Sequence, residues 1–229
     1  MNTAGLRYLG AGLIVLVGIS LGVKLHLGRH DQEGVSVPAG VASAPQPTED
    51  GALQVADVPH PVVPAKLPDF SLADLVGKST SVSSWNGKSL VINFWATWCA
   101  PCQREIPLLK ALAAEWAGRN LTVVGIAVDY PDKVREFAGR FKIDYPVLIG
   151  EQDALDVAAQ FGMAAPAFPF TVFTDQRGEV VALFVGELHR PQADFILSQV
   201  QSLNQDRIQL PEARRAIAAG LSAMANKHG

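Results

Sequence analysis

Leu90-Val91-Ile92-Asn93-Phe94-Trp95-Ala96-Thr97-Trp98-Cys99-Ala100-Pro101-Cys102 holds both cysteines of the chain, set in one Cys-x-x-Cys directly after an apolar run. From Ser89 to Trp95 the residues are apolar on both sides of the pleat, which predicts a central strand covered on two faces. Pro101 to Trp116 carries Ile106, Leu109, Leu112, Ala113 and Trp116 at helical spacing and closes near Gly118, so a helix follows. The cysteines fall at the junction of the two. Two thiols a helical turn apart can close a small disulfide ring and reopen it by exchange with another disulfide.

The pattern continues outward on both sides. Leu121 to Val128 reads as a second buried strand, Asp132 to Phe141 as an amphipathic helix, Pro146 to Ile149 as a short strand and Ala154 to Phe161 as a helix. Phe170 to Thr174 and Val180 to Val185 flank Asp175-Gln176-Arg177-Gly178 as a hairpin, and Gln192 to Leu203 is a closing helix. Upstream, Leu67-Pro68-Asp69-Phe70-Ser71-Leu72 and Thr80-Ser81-Val82 read as strands joined through a Gly77-Lys78 turn, with a second turn over Ser84 to Lys88. The expected class is α/β: a mixed central sheet with helices on both faces and an added N-terminal hairpin, over residues 67–203. Residues 204–229 form an extension with a helix from Pro211 to Asn226. Its stripe of Ala213, Ile217, Leu221 and Met224 suits packing on the domain, with docking to a partner as the second reading.

A chain of 229 residues that is 48% hydrophobic can build a core without disulfide staples. A net charge of −3 with no block of Lys and Arg in the globular part argues against a nucleic-acid partner. Residues 1–28 read as a membrane anchor: Arg7 precedes the uncharged stretch Tyr8 to Val23, which Lys24, His26, Arg29 and His30 close. A removed signal sequence is the rival, although Ala42-Ser43-Ala44, the best cleavage-like site, lies far downstream. Residues 29–66 lack any period and are rich in proline and glycine, which suits a flexible tether spanning on the order of 30 Å.

At the junction, unpaired backbone N–H groups and the helix dipole favour a thiolate at Cys99, lowering its pKa from ~8.5 toward neutrality. Cys102, one turn in, should be more buried and should resolve the mixed disulfide. A structural zinc would need four ligands, and neither a second Cys-x-x-Cys nor a His pair at ligand spacing exists. A copper(I) carrier using the two thiolates is a remaining non-enzymatic alternative.

The block from Asn93 to Pro107 resembles the active-site signature of the TlpA/ResA/DsbE-like thiol-disulfide oxidoreductases, membrane-tethered members of the thioredoxin superfamily. The resemblance runs from about Leu67 to Leu203 and includes the Leu-Pro-Asp-Phe opening and Val124-Gly125-Ile126-Ala127-Val128-Asp129. It implies a thioredoxin-like fold preceded by a membrane helix, with Cys99 and Cys102 as a catalytic redox disulfide. Glu105 matches the family's acidic residue, placed to relay the resolving thiol's proton. Asn93 stands where thioredoxin has a buried aspartate and cannot take a proton itself. Pro107, inside the helix, matches a structural proline of the family.

Phe168-Pro169-Phe170-Thr171-Val172-Phe173 resembles the loop whose cis-proline faces the cysteines, with Pro169 preferred to Pro166. Trp98, Phe168 and Pro169 are accordingly the expected substrate-binding residues. His189 reads as a solvated loop residue and Trp95 as core. The resemblance further implies a reductase in the periplasm, held at the inner membrane and re-reduced by a membrane thiol-disulfide donor. Its substrates would be protein disulfides of apocytochrome c or of copper-site proteins, with no cofactor and no metal. A redoxin-type peroxidase is the enzymatic alternative, but its isolated peroxidatic cysteine in a Pro- and Thr-containing loop is missing.

Overall fold

The strand β3 (Ser89–Trp95) is buried at every position, and the sheet is built around it. It pairs in parallel with β4 (Leu121–Val128), from Ser89 opposite Leu121 to Trp95 opposite Ala127. On its other side β6 (Phe170–Thr174) runs antiparallel. β5 (Val147–Gly150) continues the sheet in parallel beyond β4, and β7 (Val180–Val185) adds antiparallel to β6. A hairpin of β1 (Ser71–Asp74) and β2 (Ser79–Ser81) joins antiparallel along β5. Among the described residues, 63–226 of this computed structural model, the order is β2-β1-β5-β4-β3-β6-β7. The expected mixed sheet with an added hairpin is therefore present.

Alternation along β3 sorts its side chains between two cores. Leu90, Ile92 and Phe94 join Ala154, Val157 and Ala158 of α3 (Gln152–Gln160) on one face. Val91 and Trp95 point the other way, into a cluster fed by α1 (Ala100–Trp116), α2 (Pro131–Phe141) and α4 (Arg190–Asn204). Asn93, between Val91 and Trp95, falls on the α1 side as a buried polar residue. Ile106, Leu109 and Leu112 fix α1 against the sheet, and each buried side chain of this kind stabilises the fold by roughly 1.5–3 kcal/mol. α1 continues through Pro107 as a single helix of 17 residues.

The strands β3, β4, β6 and β7 have the bounds that periodicity implies, and the other elements differ at their ends. β1 begins at Ser71 rather than at Leu67, because Pro68 has no N–H for a ladder. Leu67 instead donates its N–H to Gly178 O (2.8 Å), tying the segment to the β6–β7 turn. Ser81 caps a short 3-10 helix, Val82–Trp85, where a plain turn is expected. α2, α4 and α5 (Leu210–Ala225) each have proline in the first turn and start one or two residues earlier than expected.

α5 packs on the domain through buried Ala213 and Ile217, and Arg214 Nε donates to Val180 O on β7 (3.2 Å). The anchor expected over residues 1–28 lies outside the described residues, as does most of the tether expected over 29–66. None of the helices among the described residues is long and apolar enough to cross a membrane.

Candidate active site

The carboxyl end of β3 feeds Ala96-Thr97-Trp98 and then α1, whose N-cap is Cys99. The loop is fixed from beneath. Gln103 Nε2 donates to Thr97 O (2.9 Å), the Thr97 hydroxyl donates to Asp129, and Asp129 also accepts from the Tyr130 N–H (2.8 Å). Cys99 and Cys102 are joined as a disulfide, and the Cys102 N–H points at Cys99 Sγ (3.3 Å). An orphan N–H of the first helical turn is thus directed at the sulfur that would carry charge after reduction. Cys99 is 5% exposed and Cys102 1%, the order expected for an attacking and a resolving thiol.

Glu105 lies three residues beyond Cys102 on the same buried face of α1 and is only 2% exposed. One oxygen accepts from Asn93 Nδ2 (2.7 Å) and the other from the Leu188 N–H (3.0 Å). Burial pushes its carboxyl up from 4.5 to about 7, against the lowering donations of Leu188 and Asn93, and the charge of Glu187 adds to the rise. Asn93 spends its other amide hydrogen on Thr171 Oγ1 (3.0 Å), so β6 is tied into the same network. Tyr145 lies close enough for Glu105 to act on it: its hydroxyl is pushed up by burial first and then by the charges of Glu105 and Asp144. A carboxyl held near neutrality one helical turn from Cys102 can accept or give a proton at ordinary pH once the disulfide is reduced.

The rim is aromatic. Trp98 is 68% exposed, and its ring meets Phe168 edge-on with centroids 6.2 Å apart. Phe168 is half-buried and precedes Pro169 through a cis peptide bond, as the loop resemblance implies; Pro166 is not the cis residue. Trp95 is core, packed against Phe137 with centroids 5.0 Å apart. His189 is exposed and serves as the N-cap residue of α4 without a side-chain capping bond. Among the described residues no group of three or more His, Cys, Asp and Glu side chains is gathered as a metal site.

Sequence reasoning missed the segment Gly186-Glu187-Leu188, which touches the site three times. Gly186 N–H donates to Pro169 O (2.8 Å), Glu187 pairs with Arg104, and Leu188 N–H holds Glu105. Only Gly186 carries a local signal, a residue at φ +105° just past a strand.

A mixed sheet with a Cys-x-x-Cys disulfide at a strand-to-helix junction, a cis-proline loop and a buried acid defines a thioredoxin-like dithiol protein. Residues 63–197 match the Redoxin family model. A ResA thiol-disulfide oxidoreductase of Geobacillus kaustophilus is 32% identical over 135 residues, 58% of this chain and 75% of that protein. The thioredoxin-like protein YneN of Bacillus subtilis is 33% identical over 131 residues, 56% of this chain and 74% of its own length. A crystal structure of a thioredoxin-family thiol:disulfide interchange protein from Chlorobium tepidum superimposes with TM-score 0.55 and 31% identity. It covers 60% of this chain and 96% of that one. The chain belongs to the Redoxin family, within its TlpA/ResA/DsbE-like thiol-disulfide oxidoreductases. The matched region ends before α5, so that helix lies beyond the Redoxin match.

Proposed function

We propose that the protein is a membrane-anchored, extracytoplasmic reductase of protein disulfides, with Cys99 as the attacking thiol and Cys102 as the resolving one. The observation that carries the reading is the Cys102 N–H aimed at Cys99 Sγ, with the buried Glu105 carboxyl one turn below. The Cys99 thiolate attacks a substrate disulfide, forming a mixed disulfide and releasing one substrate sulfur as thiolate. Cys102 then loses its proton to Glu105 and attacks Cys99 Sγ. The second substrate sulfur leaves as thiolate and Cys99–Cys102 closes as a disulfide. Two electrons pass from the dithiol to the substrate, and a membrane donor of the thiol-disulfide type returns them.

Trp98, Phe168 and Pro169 form the contact surface in this scheme. The exposed Trp98 ring and the half-buried Phe168 ring offer an apolar seat beside the disulfide for an extended substrate segment. The layout that goes with it is an anchor over residues 1–28, a tether over 29–66, the catalytic domain over 67–203 and the helical extension over 204–229. The uncharged stretch Tyr8 to Val23 behind Arg7 supports an inner-membrane anchor with the domain in the periplasm. Apocytochrome c thiols before haem attachment, or cysteines of a copper site, are the substrates this placement suits. The peroxidase reading has no support in the cysteine pattern, since both cysteines belong to the one motif.

The test is trapping in cells. With Cys102 changed to Ala, the mixed disulfide on Cys99 cannot be resolved, and the substrate stays covalently attached. Recovery of cytochrome maturation factors or copper-site proteins would support the reading. No trapped partner, together with a Cys99→Ser strain indistinguishable from the parent, would remove it.

A further inference from the structure

We propose that Arg104 and Glu187 act as a latch that holds the segment Gly186–Leu188 against α1, making both positioning residues for Glu105 and the Pro169 loop. Two consecutive residues of α1 grip two consecutive residues of the loop: Arg104 meets Glu187, and Glu105 meets the Leu188 N–H. Arg104 Nε reaches both Glu187 oxygens (3.2 and 2.9 Å) while Nη2 adds a third contact, a forked geometry that fixes orientation as well as distance. An isolated exposed ion pair usually contributes little. This one differs in what its neighbours do.

On one side of Glu187, Gly186 N–H donates to Pro169 O at 2.8 Å. On the other, Leu188 is buried in the core and gives its N–H to Glu105 at 3.0 Å. The pair sits at the rim, with the Arg104 side chain 60% and the Glu187 side chain 20% exposed, so it closes the segment from the solvent side. Gly186 at φ +105° supplies the turn that lets β7 deliver Glu187 and Leu188 to α1. One tripeptide thereby joins the cis-proline loop, the active-site helix and the buried acid.

The consequence has a definite sign. The charged and titratable groups facing Glu105 are Glu187 from the loop and Tyr145 from the segment before β5, while Cys102 on its own helix is held in the disulfide. Arg104 holds the Glu187 carboxyl below the usual carboxylate range. Removing Arg104 leaves an unneutralised carboxylate beside Glu105 and frees the loop that brings Leu188. With the carboxyl still buried, the unneutralised charge and the weakened Leu188 donation both raise the pH at which Glu105 ionises. For its effect on turnover the latch rests on the reductase reading; its structural content does not.

The experiment uses the oxidised full-length protein with Arg104→Ala, Glu187→Ala and the charge-exchanged pair Arg104→Glu with Glu187→Arg. Amide hydrogen exchange is read at Gly186 and Leu188, and the Glu105 carboxyl is titrated by carbon-13 NMR. In each single variant both amides should exchange at least about threefold faster, as expected when a local opening loses a stabilising pair. The Glu105 midpoint should rise in Arg104→Ala, and the exchanged pair should restore protection. Unchanged exchange at both amides in the single variants, or an unmoved Glu105 titration in Arg104→Ala, would overturn the latch. Failure of the protein to reduce any disulfide would count against the reductase reading alone, since the exchange measurement needs no turnover.

Discussion

Asn93 donates to Glu105 across the interface of β3 and α1 at 2.7 Å, and its second amide hydrogen goes to Thr171 at 3.0 Å. The side chain is 1% exposed and lies in register with Thr171 on β6. It cannot carry a proton, so its part is to hold the carboxyl that can. Replacing Asn93 with Ala removes a donor that lowers the Glu105 pKa, so the midpoint should move above about 7. Two buried polar partners are also left short, which costs roughly 1–3 kcal/mol for each unsatisfied group. A carboxyl titration followed by NMR, with urea unfolding on the same variant, checks both outcomes.

Glu105 should also make the stability of the oxidised protein fall with rising pH. Its carboxyl titrates near 4.5 when unfolded and near 7 in the fold, so below 4.5 both states hold the proton and the contribution is complete. Between the two values the unfolded chain releases the proton first, and the contribution is lost as pH climbs through about 7. The total is on the order of 3 kcal/mol. Urea midpoints measured at pH 5 and pH 8 should differ in that direction. Glu105→Gln should flatten the difference, and a slope unchanged in that variant would assign the effect to other groups.

Much of this arrangement could be read from residues near one another in the chain, and the remainder could not. Ser89 to Trp95 was legible as a central strand because both faces are apolar, and Cys99 as lying at the strand-to-helix junction because the helical period starts just beyond it. Pro169 was legible from the motif in front of β6. The role of Glu105 was only half legible. A glutamate on α1 could have faced solvent, and what decides its state is its burial in the closed fold, where one oxygen is held by Leu188, 83 residues away. The same separation hides Arg104 and Glu187, which look like ordinary surface charges until the sheet closes. The start of β1 went astray for a local reason, since Pro68 interrupts a stretch whose apolar pattern alone suits a strand.

Trp98 contributes a ring that the fold does not bury, so its removal should act on substrates and leave folding alone. Trp98→Ala should keep its urea midpoint and its rate with a small model disulfide. Reduction of a folded protein disulfide should slow by about tenfold, the scale of a single exposed aromatic anchor at a contact surface. Parallel kinetics on the two substrates make the comparison. Equal rates on both would remove Trp98 from the contact surface.

Gly125 on β4 stands beside the site for a steric reason. A Cβ there would come within 2.8 Å of Trp95 Nε1 and 3.2 Å of the Tyr145 ring, both of them buried. Gly125→Ala should therefore overpack the core under α1. The expected cost is about 1–3 kcal/mol, read as a lower urea midpoint with little change in slope.

Reactivity of the reduced pair should be strongly unequal. Cys99 caps the helix, its sulfur faces the Cys102 N–H, and it retains more exposure, whereas Cys102 is enclosed at 1%. A brief pulse of iodoacetamide at pH 7 should label Cys99 at least about tenfold faster than Cys102, since thiolate character and access both favour it. Peptide mapping by mass spectrometry gives the ratio directly. Cys102→Ala should leave the Cys99 rate within about threefold of the parent, because the N–H that faces the sulfur belongs to the backbone and survives the substitution. Equal labelling of the two positions in the reduced protein would mean that the helix cap does not activate Cys99, and the order of attack and resolution would have to be reversed or abandoned.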